Sequence, residues 1–198
     1  SIGITALHEL TVLHTGKGIY EDNTFAKEVM QYINDECAKY KEEHHVAVAT
    51  YGTPAESLCK TQVEQFRKEF GVIPGVSDKD YFMNSFHCDV ALEINPFQKQ
   101  DAEFDLFHMM NGGHIQYCRV NTKDNLQGNI ALVDRAMDYG YYFGINFNNC
   151  ICMECGHSEL DMGDTCPNCG SHDITEINRV SGYLGYSRIH GDTRMNNT

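Results

Sequence analysis

The 198-residue sequence predicts an α/β domain followed by a small cysteine-rich appendage. Three observations predict it. Up to about residue 149, segments of helical periodicity alternate with short runs of β-branched and small residues. A hydrophobic fraction of 41% is enough to bury a core. From Cys150 onward the texture changes to short turns rich in Cys, Gly, Asp and Asn, which cannot fill a core unaided.

Each element has its own signal. Phe25, Val29, Ile33, Cys37 and Tyr40 recur at helical spacing across residues 24–40, with Asn23 or Thr24 placed to cap the first turn. Val46 to Tyr51 is too brief for a helix, ends at Gly52 and reads as a buried strand. Thr53, Pro54, Ala55 and Glu56 then form a capping box with proline at the first helical position, opening a helix through Leu58, Val63 and Phe66 to Phe70 and Gly71. Residues 89–94 (DVALEI) and 114–121 (HIQYCRVN) read as strands, 125–139 as a helix stopped by Gly140, and 141–147 as a further strand. Such alternation puts functional groups at strand ends and in the loops that follow them.

Composition removes some function classes. Twenty-eight acidic residues against 15 basic ones give a net charge of -13, which repels the phosphate backbone of nucleic acids. No window approaches the roughly 18 apolar residues of a membrane span. The opening SIGITALHEL has no basic region or cleavage site of an export signal. Nine cysteines, an odd number, read as thiols kept reduced in a cytoplasm rather than as a disulfide framework. The chain starts at Ser1 directly on an apolar stretch, and the expectation is that the polypeptide begins further upstream.

The strongest local motif is Cys152-x-x-Cys155, a ten-residue spacer and Cys166-x-x-Cys169, with Gly156 and Gly170 trailing the pairs. Two such pairs complete the closed tetrahedral thiolate site of structural Zn²⁺. His157 and Cys150 are the alternative ligands. Alone, this motif fits a non-catalytic zinc-ribbon interaction module as well as an enzyme. The strand–Gly52–helix turn around YGTPAES has a meaning of its own, because a helix N-terminus presents free N–H groups and the positive dipole end to phosphate.

Near the end of the chain lies RVSGYLG, residues 179–185. Together with the cysteine quartet, YGTPAESLC and DKDYFMNSFH, it resembles the anaerobic (class III) ribonucleotide reductases, a glycyl radical family, over nearly the whole chain. Members usually carry Cys or Thr where Ser181 stands, and the spacer between the cysteine pairs varies. The resemblance implies the C-terminal portion of a ten-stranded glycyl-radical α/β barrel over residues 1–149, a zinc ribbon over 150–175 and a glycyl radical loop over 176–198. It makes Gly182 the radical-storing residue, with Gly185 next in line. It places Thr53, Ala55, Glu56 and Ser57 at the substrate phosphates and Tyr51 near the reacting centre. Capping alone also explains Glu56, and an ordinary core position also explains Tyr51, Asn84 and Ser85.

The family's thiyl cysteine belongs to a segment absent here, and Cys59, Cys88 and Cys118 read as core residues. Gly112-Gly113 reads as a tight connection, and the histidine after it, His114, as structural. The implied reaction is reduction of ribonucleoside triphosphates to deoxyribonucleoside triphosphates under anaerobic conditions. Formate is the implied reductant and a radical-SAM iron-sulfur protein the implied activator. Other implied partners are the upstream part of the reductase and a second copy in a homodimer. A separate radical-donating piece of a split enzyme is the other arrangement the resemblance allows.

Overall fold

A computed structural model describes residues 1–53, 55–120, 124–147, 149–180 and 183–186, with side chains omitted at 56, 57, 177–180 and 183–186. Two short parallel pairs carry the first part of the fold. β1 (Ile2–Ile4) lies beside β2 (Thr50–Gly52), in the register Ile2↔Thr50 to Ile4↔Gly52. β3 (Gln116–Val120) lies beside β4 (Phe143–Phe147), from Gln116↔Phe143 to Val120↔Phe147. The second pair is joined through α5 (Leu126–Asp138), as a parallel crossover requires.

Two expected helices are present. α2 (Thr24–His44) buries Ala26, Met30 and Cys37. Its Asn23 does not cap it: the side-chain amide donates to the Ala102 carbonyl at 3.2 Å instead. α5 starts as expected at Asn125, whose side chain accepts from the Gly128 N–H at 3.0 Å.

Elsewhere the structure departs from expectation. The strand expected over 46–51 is reduced to β2, and Val46 is 45% exposed. The helix expected from Thr53 begins later, as α3 (Glu56–Phe70), with Ala55 at its N-cap in the left-handed region (φ 36°) and no side-chain cap. Thr53 and Glu56 therefore form no capping box, because Glu56 is already the first helical residue. Pro54 lies outside the described residues. Residues 89–94 form no strand, because Asp89 folds the chain back. Its carboxylate accepts from the Ala91 N–H at 2.9 Å, its carbonyl from the Leu92 N–H at 3.2 Å, and it pairs with Lys79.

Two helices were not expected. α1 (Leu7–Thr15) is short and weakly patterned. α4 (Pro96–Met109) carries a complete capping box, in which Asn95 accepts from the Gln98 N–H and the Gln98 side chain from the Asn95 N–H, with proline at the first helical position. α4 packs against α2 and β3, and its Leu106 and Phe107 join Ile4, Leu7, Met30 and Phe86 in the main core.

The appendage is a four-stranded antiparallel sheet in the order β6-β5-β7-β8, made from β5 (Asn149–Cys152), β6 (Ser158–Leu160), β7 (Ile174–Val180) and β8 (Tyr183–Tyr186). β5 pairs with β7 from Asn149↔Ile177 to Cys152↔Ile174, and β7 with β8 from Ile177↔Tyr186 to Val180↔Tyr183. Its buried apolar cluster is only Cys150, Cys152, Met162 and Cys166, with Ile174 against it. No helix among the described residues is long and apolar enough to cross a membrane.

Candidate functional site

A cavity of about 630 Å³ opens at the end of β2. Tyr51 and Gly52 form one wall, Asn84, Ser85 and His87 a second, and Gly112 to Ile115 a third, with Lys99 and Phe107 contributed by α4. The third wall explains the glycine pair. Gly112 N–H donates to the Thr50 carbonyl at 2.6 Å and Gly52 N–H to the Gly113 carbonyl at 3.1 Å, so this segment docks onto β2 by its backbone. A Cβ at Gly112 would stand 2.7 Å from the Thr50 oxygen, too close for any other residue.

The second wall is held by α1. Ala6 N–H donates to the Met83 carbonyl at 2.8 Å, Thr5 bridges to Asn84, and Met83 N–H donates to Glu9 Oε1 at 2.9 Å. Glu9 is 4% exposed, and burial pushes its carboxyl up to about 7 despite the Met83 bond. Folded Glu9 thus holds its proton where the unfolded chain, at about 4.5, has lost it. Its contribution to stability is full below about pH 4.5 and declines as pH rises to about 7. Glu9→Gln keeps the Met83 bond without the charge. Thermal melts should show the variant more stable than wild type by about 3 kcal/mol at pH 8, converging below pH 5. Parallel pH profiles for the two proteins would remove Glu9 as the titrating group.

Under the cavity lies a buried polar network. Glu103 Oε1 accepts from the Cys88 N–H at 2.9 Å and from Lys99 Nζ one helical turn away, while Oε2 accepts from Gln116 Nε2 at 3.1 Å. Burial alone would raise the Glu103 carboxyl, but the Lys99 ammonium beside it draws it down to about 2. Burial opposes the Lys99 ammonium, and Glu103 more than compensates, so its pKa is raised. Burial and Lys99 lower His87, which is therefore neutral and stands 3.3 Å from both Lys99 Nζ and Glu103 Oε1. The contact to Glu103 is then no ion pair, and Nδ1 accepts from the ammonium.

On the third wall, His114 Nδ1 lies 2.9 Å from the Met110 carbonyl and its ring packs edge-to-face on Phe107. Burial lowers the imidazole to about 4. It is neutral at pH 7, so Nδ1 carries the proton donated to Met110.

The second site is the cysteine quartet. Sγ of Cys152, Cys155, Cys166 and Cys169 all lie within 4.8 Å of one another, with Cys152–Cys169 at 3.6 Å and Cys155–Cys166 at 3.7 Å. A tetrahedron of thiolates about 2.3 Å from a central Zn²⁺ has edges of about 3.8 Å, so the donor set fits that ion. The two pairs fold alike: Gly156 N–H donates to the Cys152 carbonyl and Gly170 N–H to the Cys166 carbonyl, each at 2.9 Å. Cys152 N–H donates to His157 O and Cys166 N–H to Ser171 O, each at 2.8 Å. His157 is turned to Glu159 at 3.4 Å, and Cys150 is buried in β5, so neither replaces a member of the quartet.

Of the residues singled out from sequence, Tyr51, Asn84 and Ser85 meet in the cavity wall. Thr53 and Ala55 follow on the chain between that wall and α3. The side chains of Glu56 and Ser57 lie outside the described residues, as does Gly182. Cys59, Cys88 and Cys118 are buried core residues, as expected, and burial raises the thiols of Cys88 and Cys118. Sequence reasoning passed over His87, Lys99 and Glu103. The i,i+4 spacing of Lys99 and Glu103 behind the Asn95-Pro96-x-Gln98 box was the available signal.

Comparison with known proteins follows from this geometry. The family model described as anaerobic ribonucleoside-triphosphate reductase matches residues 1–196. The chain is 34% identical over 200 residues to the anaerobic ribonucleoside-triphosphate reductase of Escherichia coli (strain K12), covering 93% of this chain and 28% of the relative. It is 33% identical over 199 residues to that of Enterobacteria phage T4, covering 96% and 32%. It thus spans about a third or less of these relatives. Among solved structures, the anaerobic ribonucleotide reductase from Thermotoga maritima with MES in the active site superposes with a TM-score of 0.79 at 22% identity, over 96% of this chain and 32% of that one. The same enzyme in complex with dATP and CTP gives 0.78 at 21% identity, over 99% and 32%.

Proposed function

The chain belongs to the anaerobic ribonucleoside-triphosphate reductase family, and on that premise we propose that it is the C-terminal part of such an enzyme. In this reading residues 1–149 complete the α/β reductase barrel, 150–175 are a zinc ribbon, and 176–198 carry the glycyl radical loop. The observation that supports it most is the family match itself, whose range of residues 1–196 includes the cavity, the cysteine quartet and RVSGYLG.

The assembled enzyme reduces ribonucleoside triphosphates to deoxyribonucleoside triphosphates. A radical is stored on Gly182, because the electron left by loss of a Cα hydrogen is shared with the flanking amide groups and no side chain prevents planarity. It passes to a thiyl cysteine outside these 198 residues, which takes the 3′ hydrogen of the ribose. Formate is the reductant, and a radical-SAM iron-sulfur protein generates the glycyl radical. The enzyme works as a homodimer in an anaerobic cytoplasm. Cys152, Cys155, Cys166 and Cys169 hold Zn²⁺, which cross-links the ribbon and leaves no position open for substrate.

Tyr51 lies beside the reacting centre, while Thr53, Ala55, Glu56 and Ser57 receive the phosphates. The N-terminus of α3 has no side-chain cap among the described residues, which suits its first N–H groups to an anion. Ala55→Asp tests this, since aspartate tolerates the left-handed conformation and brings its own carboxylate to those groups. In the complete reductase it should raise the KM for ribonucleoside triphosphate at least about tenfold, with like charge facing the phosphates. Zinc content and radical yield should not change. An unchanged KM would remove α3 from the phosphate site.

A further inference from the structure

Two residues that line the cavity each carry a buried polar atom with no partner among the described residues: Ser85 Oγ and His114 Nε2. Buried polar atoms left unpaired are rare in folded proteins, and each calls for a reason. The two residues meet at Gly52. A Cβ on Gly52 would collide with Ser85 Oγ and stand 3.0 Å from His114 Cβ, so both side chains close on the open face of that glycine at the end of β2. Ser85 is 4% exposed and sits in the left-handed region at φ 53°, a conformation that costs a non-glycine residue and is held by the segment tied to α1.

Their chemistry narrows the ligand. A serine hydroxyl donates and accepts, whereas His114, with Nδ1–H given to Met110, offers a lone pair at Nε2. Neither is charged, and Lys99, which also lines this cavity, is engaged by Glu103. The pair therefore suits a neutral group bearing hydroxyls and not a phosphate. Position along the chain agrees. Gly52 is followed in the chain by Thr53, by Ala55 and by the start of α3, so hydroxyl-type and anion-type contacts succeed one another as sugar and phosphate do in a nucleotide.

We infer that Ser85 and His114 contact the ribose hydroxyls of the bound nucleotide. The inference rests on the reductase reading above. It is tested in the complete, activated reductase with three variants. Ser85→Gly removes Oγ and accepts the positive φ. His114→Asn keeps a donor for Met110 while deleting the Nε2 position, and His114→Gln returns an amide to it.

Ser85→Gly and His114→Asn should each raise the KM for a ribonucleoside triphosphate about threefold to tenfold, the worth of one hydrogen bond. The inhibition constants of the matching 2′-deoxy or 3′-deoxy nucleotide should stay at wild-type values for at least one analogue per variant, and His114→Gln should recover most of the loss. Equal weakening of substrate and both deoxy analogues, or no change in either, would overturn the assignment. So would a change confined to preference among bases. A wild-type enzyme that neither binds nor reduces ribonucleoside triphosphates would bring down the reductase reading itself, which the wild-type measurement alone reveals.

Discussion

Cys166→Ala is expected to lower bound zinc from one ion per chain to none and to unfold the appendage while the first 149 residues keep their structure. The expectation follows from how little else holds residues 150–175. Their buried apolar cluster comprises Cys150, Cys152, Met162 and Cys166, with Ile174 beside it, and two of those five are themselves ligands in the zinc reading. The apparent binding free energy of structural Zn²⁺ is about 10–16 kcal/mol, far more than so few side chains supply by burial. Three remaining thiolates leave a site open to water and competing chelators. Metal analysis after gel filtration reads the stoichiometry, and hydrogen exchange over β5, β6 and β7 reads the unfolding. Cys150→Ser is the control, since its side chain is buried in β5 outside the quartet. Full zinc in the Cys166 variant, or equal loss in the Cys150 variant, would reject the ligand assignment.

Gly182→Ala should abolish two signals at once: the carbon-centred radical after anaerobic activation, and the backbone cleavage that oxygen then causes. Alanine places a methyl group where the radical must become planar and changes the hydrogen presented to the activator, so turnover should fall to background. Zinc content should be untouched. Electron paramagnetic resonance with glycine deuterated at Cα tests the position directly, because the main hyperfine doublet arises from the one remaining α-hydrogen and should collapse on deuteration. A doublet that persists in Gly182→Ala would move the radical elsewhere, with Gly185 the next candidate.

What was legible in the sequence was what the chain encodes locally. The cysteine pairs are read from spacing alone, since each two-residue gap already brings two thiolates together. α2 shows its buried face as periodicity, and the helix read over 125–139 is present as α5. Local signals also misled. The Thr53–Glu56 pattern matches a capping box, yet the chain turns through Ala55 and starts the helix two residues later than that box requires. The apolar run at 89–94 looks like a strand until Asp89 binds its own neighbours and Lys79. The true box at Asn95 and Gln98 was there to be read and was passed over, which hid α4 and with it Lys99 and Glu103.

The cavity was beyond such reading for a different reason. Its walls come from segments separated by tens of residues and are set by contacts such as Met83 to Glu9 and Gly112 to Thr50. No local pattern encodes those pairings. Tyr51, Asn84 and Ser85 were flagged through the motifs that contain them, whereas His114, set aside as structural, proved to share their wall.

The ladder of the appendage has a consequence for lifetime in air. Cys152 pairs with Ile174 at one end of β7, and Val180 pairs with Tyr183 at the other, so the strands on either side of Gly182 belong to the same sheet as the cysteine quartet. Such a sheet opens as one cooperative unit. Cys155 and Cys169, the two exposed members of the quartet, are where an oxidant arrives first. On the proposed reading, damage there would loosen the strands that precede and follow the glycine, and the radical-free form is expected to age in air through its thiols.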